Sequence, residues 1–356
     1  MKKRKMNSKF NLNLHKEKKY LIKSMRSADT GGKALKNIEV IQKYLIKTEK
    51  SKNKFEKKFN KTFHYQLTQL NKKTLLIKND KYQSIVKELF RNSIRKYIFK
   101  SPLCKYGYIK PKGYPGDYKI IEAIYNTKPL ASKNTIGYLF DQFLLQDEYV
   151  QSIRDRKDKM KILLKNYISK NKSDKVKILN IACGSCREIR ELLNEGFYTN
   201  KIIEFVLIDQ DKECLNYSKK FLKGFPSNYK FHFLQSNVYS FFRNDTFEKK
   251  FGKFDFIYSI GLADYLSDMV LGDMILKGFG RLTKDGRFII AHKNLKEFES
   301  IPSDWVCDWI FIPRNRDDVN TLLKIYLSSY NYNANFENLK SKLIFFIMLE
   351  KRIKLC

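Results

Sequence analysis

Short apolar segments alternate with amphipathic ones along the second half of the chain. Five apolar segments with β character predict strands, at residues 176–182, 204–209, 230–235, 254–260 and 286–291. The segments between them have helical spacing, among them Lys212–Phe221 and Val270–Leu282. Strands and helices that alternate in this way predict a mostly parallel sheet with helices on both faces.

The end of the chain departs from this alternation. A helix is predicted near Asp317–Ser329, and the apolar segment Leu343–Leu349 predicts a closing strand. A helix followed by two late strands would form an antiparallel hairpin at the sheet edge. The α/β domain is therefore expected to contain a seven-stranded, mostly parallel sheet.

The first half of the chain has apolar positions at helical spacing, over residues 36–100 and again over 135–170, where a long helix or a pair of helices is predicted. Its polar, Lys-rich start predicts a mobile arm. The predicted regions are a basic flexible arm at 1–32, an α-helical N-terminal cap at 33–170 and an α/β domain at 171–356.

A loop rich in glycine and tyrosine is predicted at 101–126, inside the helical region. Three glycines and four tyrosines precede Ile120, and Asp117 is placed to cap a helix that begins near Tyr118. A loop of this composition is typical of a lid over a ligand, and simple packing against the core is the alternative. We therefore expect Tyr114, Asp117 and Tyr118 to lie near the site.

The charge of the chain invites a polyanion-binding interpretation. Lys and Arg number 71 against 37 Asp and Glu, a formal net charge of +34. Nucleic acid or an anionic membrane surface would suit this charge, and a compositional bias toward Lys is the alternative. The scattered cysteines and the lack of a signal-peptide core or a long apolar run predict a soluble, cytoplasmic protein without integral membrane association.

The stretch Val176–Glu191 organises the candidate chemistry. An apolar strand leads through the small residues Ala182–Cys186 directly into a helix. Such a loop lets backbone N–H groups lie against a ligand, because no bulky side chain intervenes. The sequence therefore predicts a nucleoside-binding loop.

Residues at the carboxyl ends of the other strands complete the predicted site. Asp209 is placed to accept the hydroxyls of a ribose, Asn237 to read an adenine edge, and Gly261 to leave room for the reacting group. The predicted cofactor-binding residues are Ala182, Cys183, Gly184, Asp209, Gln210, Asn237, Val238 and Gly261.

This order of strands and loops resembles the class I S-adenosylmethionine-dependent methyltransferases over about 175–350. The resemblance implies a Rossmann-like fold and S-adenosylmethionine as the cofactor. The chain departs from the family pattern at Ala182 and Cys186, where glycines are common, and at Asn180, where an acidic residue is frequent.

A more specific resemblance extends over about 100–350, to methyltransferases assigned to the biosynthesis of 3-hydroxypalmitic acid methyl ester. Five segments carry it: KPKGYPGDYKIIEAIY (110–125), RDR (154–156), ACGSCREI (182–189), FDFIYSIGLADYLSD (254–268) and DWIFIPR (308–314). Membership would imply a small, lipid-like carboxylic acid as substrate, such as a 3-hydroxy fatty acid.

A carboxylate is already a nucleophile at neutral pH, so such a site needs a cation to hold the acid and an apolar wall for its chain. Arg154, Arg156 and Arg314 are candidate cations, and His292 is a candidate contact. The wall is expected from the aromatic residues Tyr114, Tyr118, Tyr265 and Trp309. The predicted catalytic residues are Tyr114, Asp117, Tyr118, Arg154, Asp264 and Tyr265, of which the two aspartates alternatively cap helices.

Other functions remain open at this stage. The basic charge would also suit an RNA or protein methyltransferase, and the altered glycine loop would suit an inactive binding scaffold. Cys183 and Cys186 form a CxxC motif between a strand and a helix, which is also where a redox disulfide occurs. No metal site is predicted, because no second Cys/His pair lies at a suitable spacing. The oligomeric state and any carrier protein for the substrate are not indicated.

Overall fold

The computed structural model describes residues 29–51, 56–242, 245–298 and 301–352. These residues form two compact units. The helical unit contains the described residues up to Pro115 together with Lys128–Asp147 and Ile301–Ile310. The sheet unit contains Gly116–Thr127 and the described residues of 148–300 and 311–356.

Helices account for most of the described first half of the chain, and further helices lie in the second half. In chain order they are α1 (Asp29–Lys50), α2 (Glu56–Leu75), α3 (Asp80–Ile98), α4 (Pro102–Ile109), α5 (Tyr118–Asn126), α6 (Ile136–Gln146), α7 (Glu148–Lys170), α8 (Arg187–Asn194), α9 (Lys212–Phe221), α10 (Val238–Phe242), α11 (Asp245–Phe251), α12 (Asp268–Gly280), α13 (Ile301–Cys307) and α14 (Arg316–Tyr326). Among the described residues, none of these helices has the length and apolar character that crossing a membrane requires.

The strands are β1 (Lys175–Ile181), β2 (Ile202–Asp209), β3 (Tyr229–Gln235), β4 (Phe254–Ser259), β5 (Leu282–Lys293), β6 (Tyr332–Asn338) and β7 (Ile344–Lys351). They form one sheet of order β3-β2-β1-β4-β5-β7-β6. β7 pairs antiparallel with both β5 and β6, and the other pairs are parallel. The predicted seven-stranded, mostly parallel sheet and its late hairpin are confirmed.

The central strands are apolar on both faces because helices cover both sides of the sheet. In β1, Ile178 belongs to an apolar cluster with α7 and α8, whereas the next residue, Leu179, belongs to the cluster formed with α12 and α14. Met160 and Leu164 of α7 lie in the same cluster as Ile178. Helix α7 is therefore part of the core of the sheet unit, although the sequence placed it in the predicted cap.

The helical unit is held together by aromatic packing. The rings of Phe63 and Phe143 lie 4.9 Å apart, and those of Phe90 and Trp305 lie 5.4 Å apart. Asp141 is fully buried and accepts hydrogen bonds from the backbone N–H groups of three residues. A buried carboxylate with several N–H donors is stable without a counter-ion.

The outcome differs among three predicted segments. Residues 1–28 of the predicted arm lie outside the described residues, and residues 29–32 belong to α1. Over 135–170 the pair of helices, one of the two predicted alternatives, is confirmed, and the two helices are separated at Asp147. The predicted lid loop is largely helical, because Ser101 caps α4 through the N–H of Cys104 and Pro102 occupies its first turn.

Candidate functional site

The loop after β1 has an unusual backbone. Ala182, Gly184 and Cys186 have φ values of 55°, 54° and 50°, in the left-handed region that glycine adopts without steric cost. Ala182 and Cys186 are the two positions at which the resembled family commonly has glycine. A Cβ on Gly184 would meet no atom within 4 Å, so open space lies beside this turn.

Asp209 joins the loop after β1 to the end of β2. Its Oδ2 accepts the N–H of Gly184 at 2.9 Å, and its Oδ1 accepts the N–H of Asp211 at 2.9 Å. Burial raises the pKa of the Asp209 carboxyl, and these N–H groups oppose the rise. A carboxylate accepts about four hydrogen bonds, so capacity remains for a ligand hydroxyl.

The end of β3 is more exposed than the ends of β1, β2, β4 and β5, which are buried. Asn237 is exposed, and its Oδ1 accepts the N–H of Ser240 at 2.8 Å, which holds the turn into α10. Val238 is half-buried against the core beside it. Gln210 lies at the adjacent end of β2, and its backbone carbonyl accepts a hydrogen bond from the side-chain amide of Gln235. The predicted contacts of these residues with an adenine ring stay predictions.

Asp264 organises the loop after β4. Its carboxylate is 1% exposed and accepts the N–H of Lys293 at 2.8 Å, and its carbonyl accepts the N–H of Ile312 at 2.9 Å. Three segments therefore meet at this residue. The structure shows that Asp264 holds the loop at the carboxyl ends of β4 and β5.

Arg156 faces this loop with its guanidinium. Its side chain is buried, and its Nη1 lies 3.9 Å from Oδ2 of Asp264. Its Nη2 would lie 3.4 Å from a Cβ on Gly261, so the guanidinium lies close to the backbone of this glycine. Within the described residues, Nε of Arg156 has no hydrogen-bond partner. A buried guanidinium with an unused donor is suited to holding an anion.

The other two arginine candidates have different surroundings. Arg154 is half-buried and donates to the side chain of Gln151 and the carbonyl of Ile124. Arg314 is buried and donates to Asp268 at 2.8 Å and to the carbonyl of Leu266 at 2.5 Å. The structure thus brings Arg156, rather than Arg154, to the loop after β4, and Arg314 braces that loop.

His292 has no exposed surface, so the sequence expectation that it contacts a substrate is not supported by its position. Its Nδ1 lies 2.7 Å from the carbonyl of Lys293 and carries the proton of that hydrogen bond, whereas Nε2 accepts from Arg314 at 3.3 Å. Burial lowers the pKa of His292, which keeps the ring neutral.

An aromatic group, defined here as Tyr149, Tyr265 and Phe311, lies beside Asp264. The rings of Tyr265 and Phe311 are 5.4 Å apart, and those of Tyr149 and Phe311 are 6.1 Å apart. The buried ammonium of Lys293 lies 3.5 Å from the centre of the Phe311 ring and 4.1 Å from that of Tyr149. Cation–π attraction stabilises a buried ammonium in such a place.

Two predicted residues begin helix α5. Asp117 caps it, with Oδ1 accepting the N–H of Lys119 at 2.8 Å, as the sequence indicated. Tyr118 donates its hydroxyl to Glu213 at 2.8 Å, and its ring packs on Tyr217. Burial raises the pKa of Tyr118. Tyr114 and Trp309 belong to the helical unit, and their expected roles stay predictions.

Sequence reasoning missed two buried glutamates. Glu188 in α8 accepts the hydroxyl of Tyr258 at 2.6 Å and the amide of Asn180 at 3.0 Å. Glu122 in α5 accepts the hydroxyl of Ser185 at 2.5 Å. The signal in the sequence is a carboxylate on an otherwise apolar helix face. It predicts that the carboxylate is buried with a polar partner, but it does not identify that partner.

The model of a family described as "Putative methyltransferase" matches residues 53–290. No curated protein matches the chain. Among solved structures, that of a possible exported protein from Bordetella parapertussis aligns with a TM-score of 0.57 at 13% identity, covering 72% of this chain and 86% of that one. At this identity the likeness concerns the fold alone.

Two further structures align at lower scores. One is magnesium protoporphyrin IX methyltransferase from Synechocystis PCC 6803 with bound S-adenosylhomocysteine, at a TM-score of 0.41 and 9% identity, covering 58% of this chain and 88% of that one. The other is the plantazolicin methyltransferase BpumL with a triazolic desmethylPZN analogue and S-adenosylhomocysteine, at a TM-score of 0.44 and 12% identity, covering 74% of this chain and 100% of that one. The strand order with β7 antiparallel is that of class I methyltransferases, so the predicted Rossmann-like fold class is confirmed.

Proposed function

This chain belongs to the family described as "Putative methyltransferase", and on that premise we propose that it methylates the carboxylate of a small acid with an apolar chain. S-Adenosylmethionine is the methyl donor of class I methyltransferases, and it supplies a methyl group on a sulfonium. The open space beside Gly184 and the acceptor capacity of Asp209 fit the donor's nucleoside at the ends of β1 and β2.

The observation that carries the acceptor proposal is the environment of Arg156. A guanidinium binds a carboxylate through two parallel hydrogen bonds. Arg156 is 5% exposed, its Nε has no hydrogen-bond partner among the described residues, and its Nη2 lies close to Gly261 in the loop after β4, a glycine without a side chain. These features support an acidic ligand at Arg156, beside the loop after β4.

The aromatic group supports an apolar chain on that acid. Tyr265 follows directly on Asp264, and its ring contacts Phe311. Aromatic side chains supply a large apolar surface at a binding site. The resemblance to the 3-hydroxypalmitic acid methyl ester family extends the proposal to 3-hydroxy fatty acids.

The proposed reaction needs no general base. A carboxylate oxygen forms a bond to the methyl carbon while the bond from that carbon to sulfur breaks, and its electron pair stays on sulfur. No proton moves in this step, so the reaction does not require His292, which is neutral and buried, as a general base. Arg156 is expected to orient the acid, and positioning accounts for the catalysis.

We also propose a reducing compartment, the cytoplasm, as the place of action. Cys104, Cys183, Cys186, Cys214 and Cys307 are free and buried in the structure. Free buried thiols are typical of proteins that are not exposed to oxidising conditions.

The direct test supplies the purified chain with 3-hydroxypalmitate and methyl-labelled S-adenosylmethionine. Solvent-extractable label that mild alkali releases as methanol would support a carboxyl methyl ester. The same assay on a cell lysate distinguishes the alternatives, because alkali-stable label in RNA or in protein would contradict the acid as acceptor. Absence of transfer to any fraction would favour the binding-scaffold alternative.

A variant tests the residue that carries the proposal. We expect Arg156→Gln to raise the KM for the acid by about tenfold or more, because it removes charge-assisted hydrogen bonds. The KM for the methyl donor should not change. Arg154→Gln, two positions along the same helix, is the matched control and should behave as the parent. Equal effects of the two substitutions would contradict the assignment of Arg156.

A further inference from the structure

Glu122 is a buried carboxylate on α5 that contacts the loop after β1. It precedes that loop by more than fifty residues in the chain, and the residue is 7% exposed. The hydroxyl of Ser185 donates to its Oε1 at 2.5 Å. Ser185 is itself buried and directly follows Gly184.

Three further donors complete the surroundings of Glu122. Arg190 donates to Oε1 at 3.1 Å, and Arg187 donates to Oε2 at 2.9 Å. The hydroxyl of Tyr217, on α9, donates to Oε2 at 3.0 Å. A carboxylate accepts about four hydrogen bonds, so these donors use its full capacity. Glu122 therefore holds neighbouring groups and has no acceptor position left for a ligand.

The loop that Glu122 contacts is fixed from several elements. The N–H of Gly184 donates to Asp209, and its carbonyl accepts the hydroxyl of Ser218 on α9 at 2.9 Å. The N–H of Cys183 donates to the carbonyl of Ile208 at 2.8 Å. These bonds come from β2 and α9, and Glu122 adds a contact from α5 at Ser185.

The backbone of this loop is held in a conformation that is costly for two of its residues. Ala182 and Cys186 flank the turn with positive φ, so the loop depends on its surroundings to stay in place. Backbone N–H groups bind a ligand well only when their direction is fixed before the ligand arrives.

We propose that Glu122 is a positioning residue for the methyl donor: through Ser185 it fixes the Gly184 turn in the conformation that binds the donor. The inference rests on the proposed donor and is independent of the acceptor. It makes α5 part of the donor site, although this helix lies far upstream of the sheet in sequence.

The test measures binding of S-adenosylmethionine to the full chain by calorimetry, without an acceptor. Glu122→Gln should weaken binding by about tenfold or more, because a neutral amide cannot accept from all four donors. Ser185→Ala should cause most of the same loss. The double variant should bind no more weakly than Glu122→Gln, since both substitutions remove one link.

Glu191→Gln is the matched control. Glu191 lies on α8, accepts Nε of Arg187 at 2.8 Å and pairs with Lys157, but it makes no contact with Ser185 among the hydrogen bonds of the described residues. The Glu191→Gln variant should bind S-adenosylmethionine as the parent does, even if its melting temperature falls. If the role of Glu122 were purely structural, Glu122→Gln would lower the melting temperature and leave the affinity for S-adenosylmethionine unchanged, as is expected for Glu191→Gln.

Steady-state kinetics give a second readout. Glu122→Gln should raise the KM for the donor and leave the KM for the acceptor unchanged. Unchanged donor affinity, an equal loss in Glu191→Gln, or additive effects in the double variant would overturn the proposal. If Glu122→Gln does not fold, Ser185→Ala decides, because it keeps the ion pairs. A parent that binds no S-adenosylmethionine would overturn the proposed donor as well, whereas a failed acid assay would not affect this inference.

Discussion

Ala182 occupies a backbone conformation that costs a residue with a Cβ about 1–2 kcal/mol. Glycine would avoid this cost but has more freedom in the unfolded chain, which offsets about 0.4–1 kcal/mol of the gain. We therefore expect Ala182→Gly to raise the free energy of unfolding by about 0.5–1 kcal/mol, measured by urea denaturation. Ala291→Gly, at a buried position of β5, is the control and should destabilise. A less stable Ala182→Gly variant would contradict the strain at this turn.

Glu188 is a second residue whose environment predicts a measurable effect. Burial raises its pKa above the usual value of 4.5. The native state therefore binds the proton more tightly than the unfolded chain, and this group's contribution to stability falls as pH rises between the two pKa values. Below the unfolded value both states are protonated, and the penalty disappears.

We expect Glu188→Gln to be more stable than the parent at about pH 8, with a gain that shrinks toward about pH 5. The amide oxygen of Gln can still accept from Tyr258 and Asn180, so the hydrogen bonds persist. Thermal melts of both proteins across this range provide the measurement. A difference that does not depend on pH would contradict a raised pKa of Glu188 in the native state.

At the scale of elements, Gly272 decides how α12 meets α14. A Cβ at this position would lie 2.1 Å from Cε2 of Tyr326, so only glycine lets the ring lie against the helix. We expect Gly272→Ala to destabilise the protein by about 1–3 kcal/mol through overpacking, despite the better helix propensity of Ala. Asp273→Ala, at the next and exposed position, should change stability by less than about 0.5 kcal/mol. Equal denaturation midpoints for the two variants would contradict this packing argument.

At the scale of the whole molecule, the compact units do not follow the predicted boundary at residue 171. Met160, Leu164 and Ile168 of α7 lie in one apolar cluster with Val176 and Ile178 of β1. A chain that begins at residue 171 would expose this cluster. The sheet unit therefore requires α7, and it also includes α5.

Truncation tests this division of the chain. We expect a protein of residues 148–356 to unfold with a cooperative thermal transition although it lacks α5, because it keeps α7 over the apolar cluster of the sheet. A protein of residues 171–356 should lack such a transition or aggregate, since its apolar cluster is uncovered. Cooperative unfolding of the shorter protein would show that α7 is dispensable for the sheet.

The sequence by itself determined the secondary structure of the sheet unit and the course of its main loop. Lys212–Phe221 is a helix with the predicted ends, and the five predicted parallel strands are present. These elements are predictable because burial on both faces imposes a local apolar pattern on each strand. The turn at Gly184 was predictable for a similar reason, since small residues between a strand and a helix allow close approach of a ligand.

Only the tertiary structure decided which polar side chains meet. Arg154 and Arg156 lie two positions apart on α7, and their order in sequence does not show which one turns toward the core. A rotation of about 100° per residue separates neighbouring helix positions, and packing against the sheet selects the buried face. Likewise, Glu122 finds Ser185, Arg187 and Arg190 only when α5 folds onto the loop after β1. Local patterns specify elements, whereas partners far apart in the chain are set by how those elements pack.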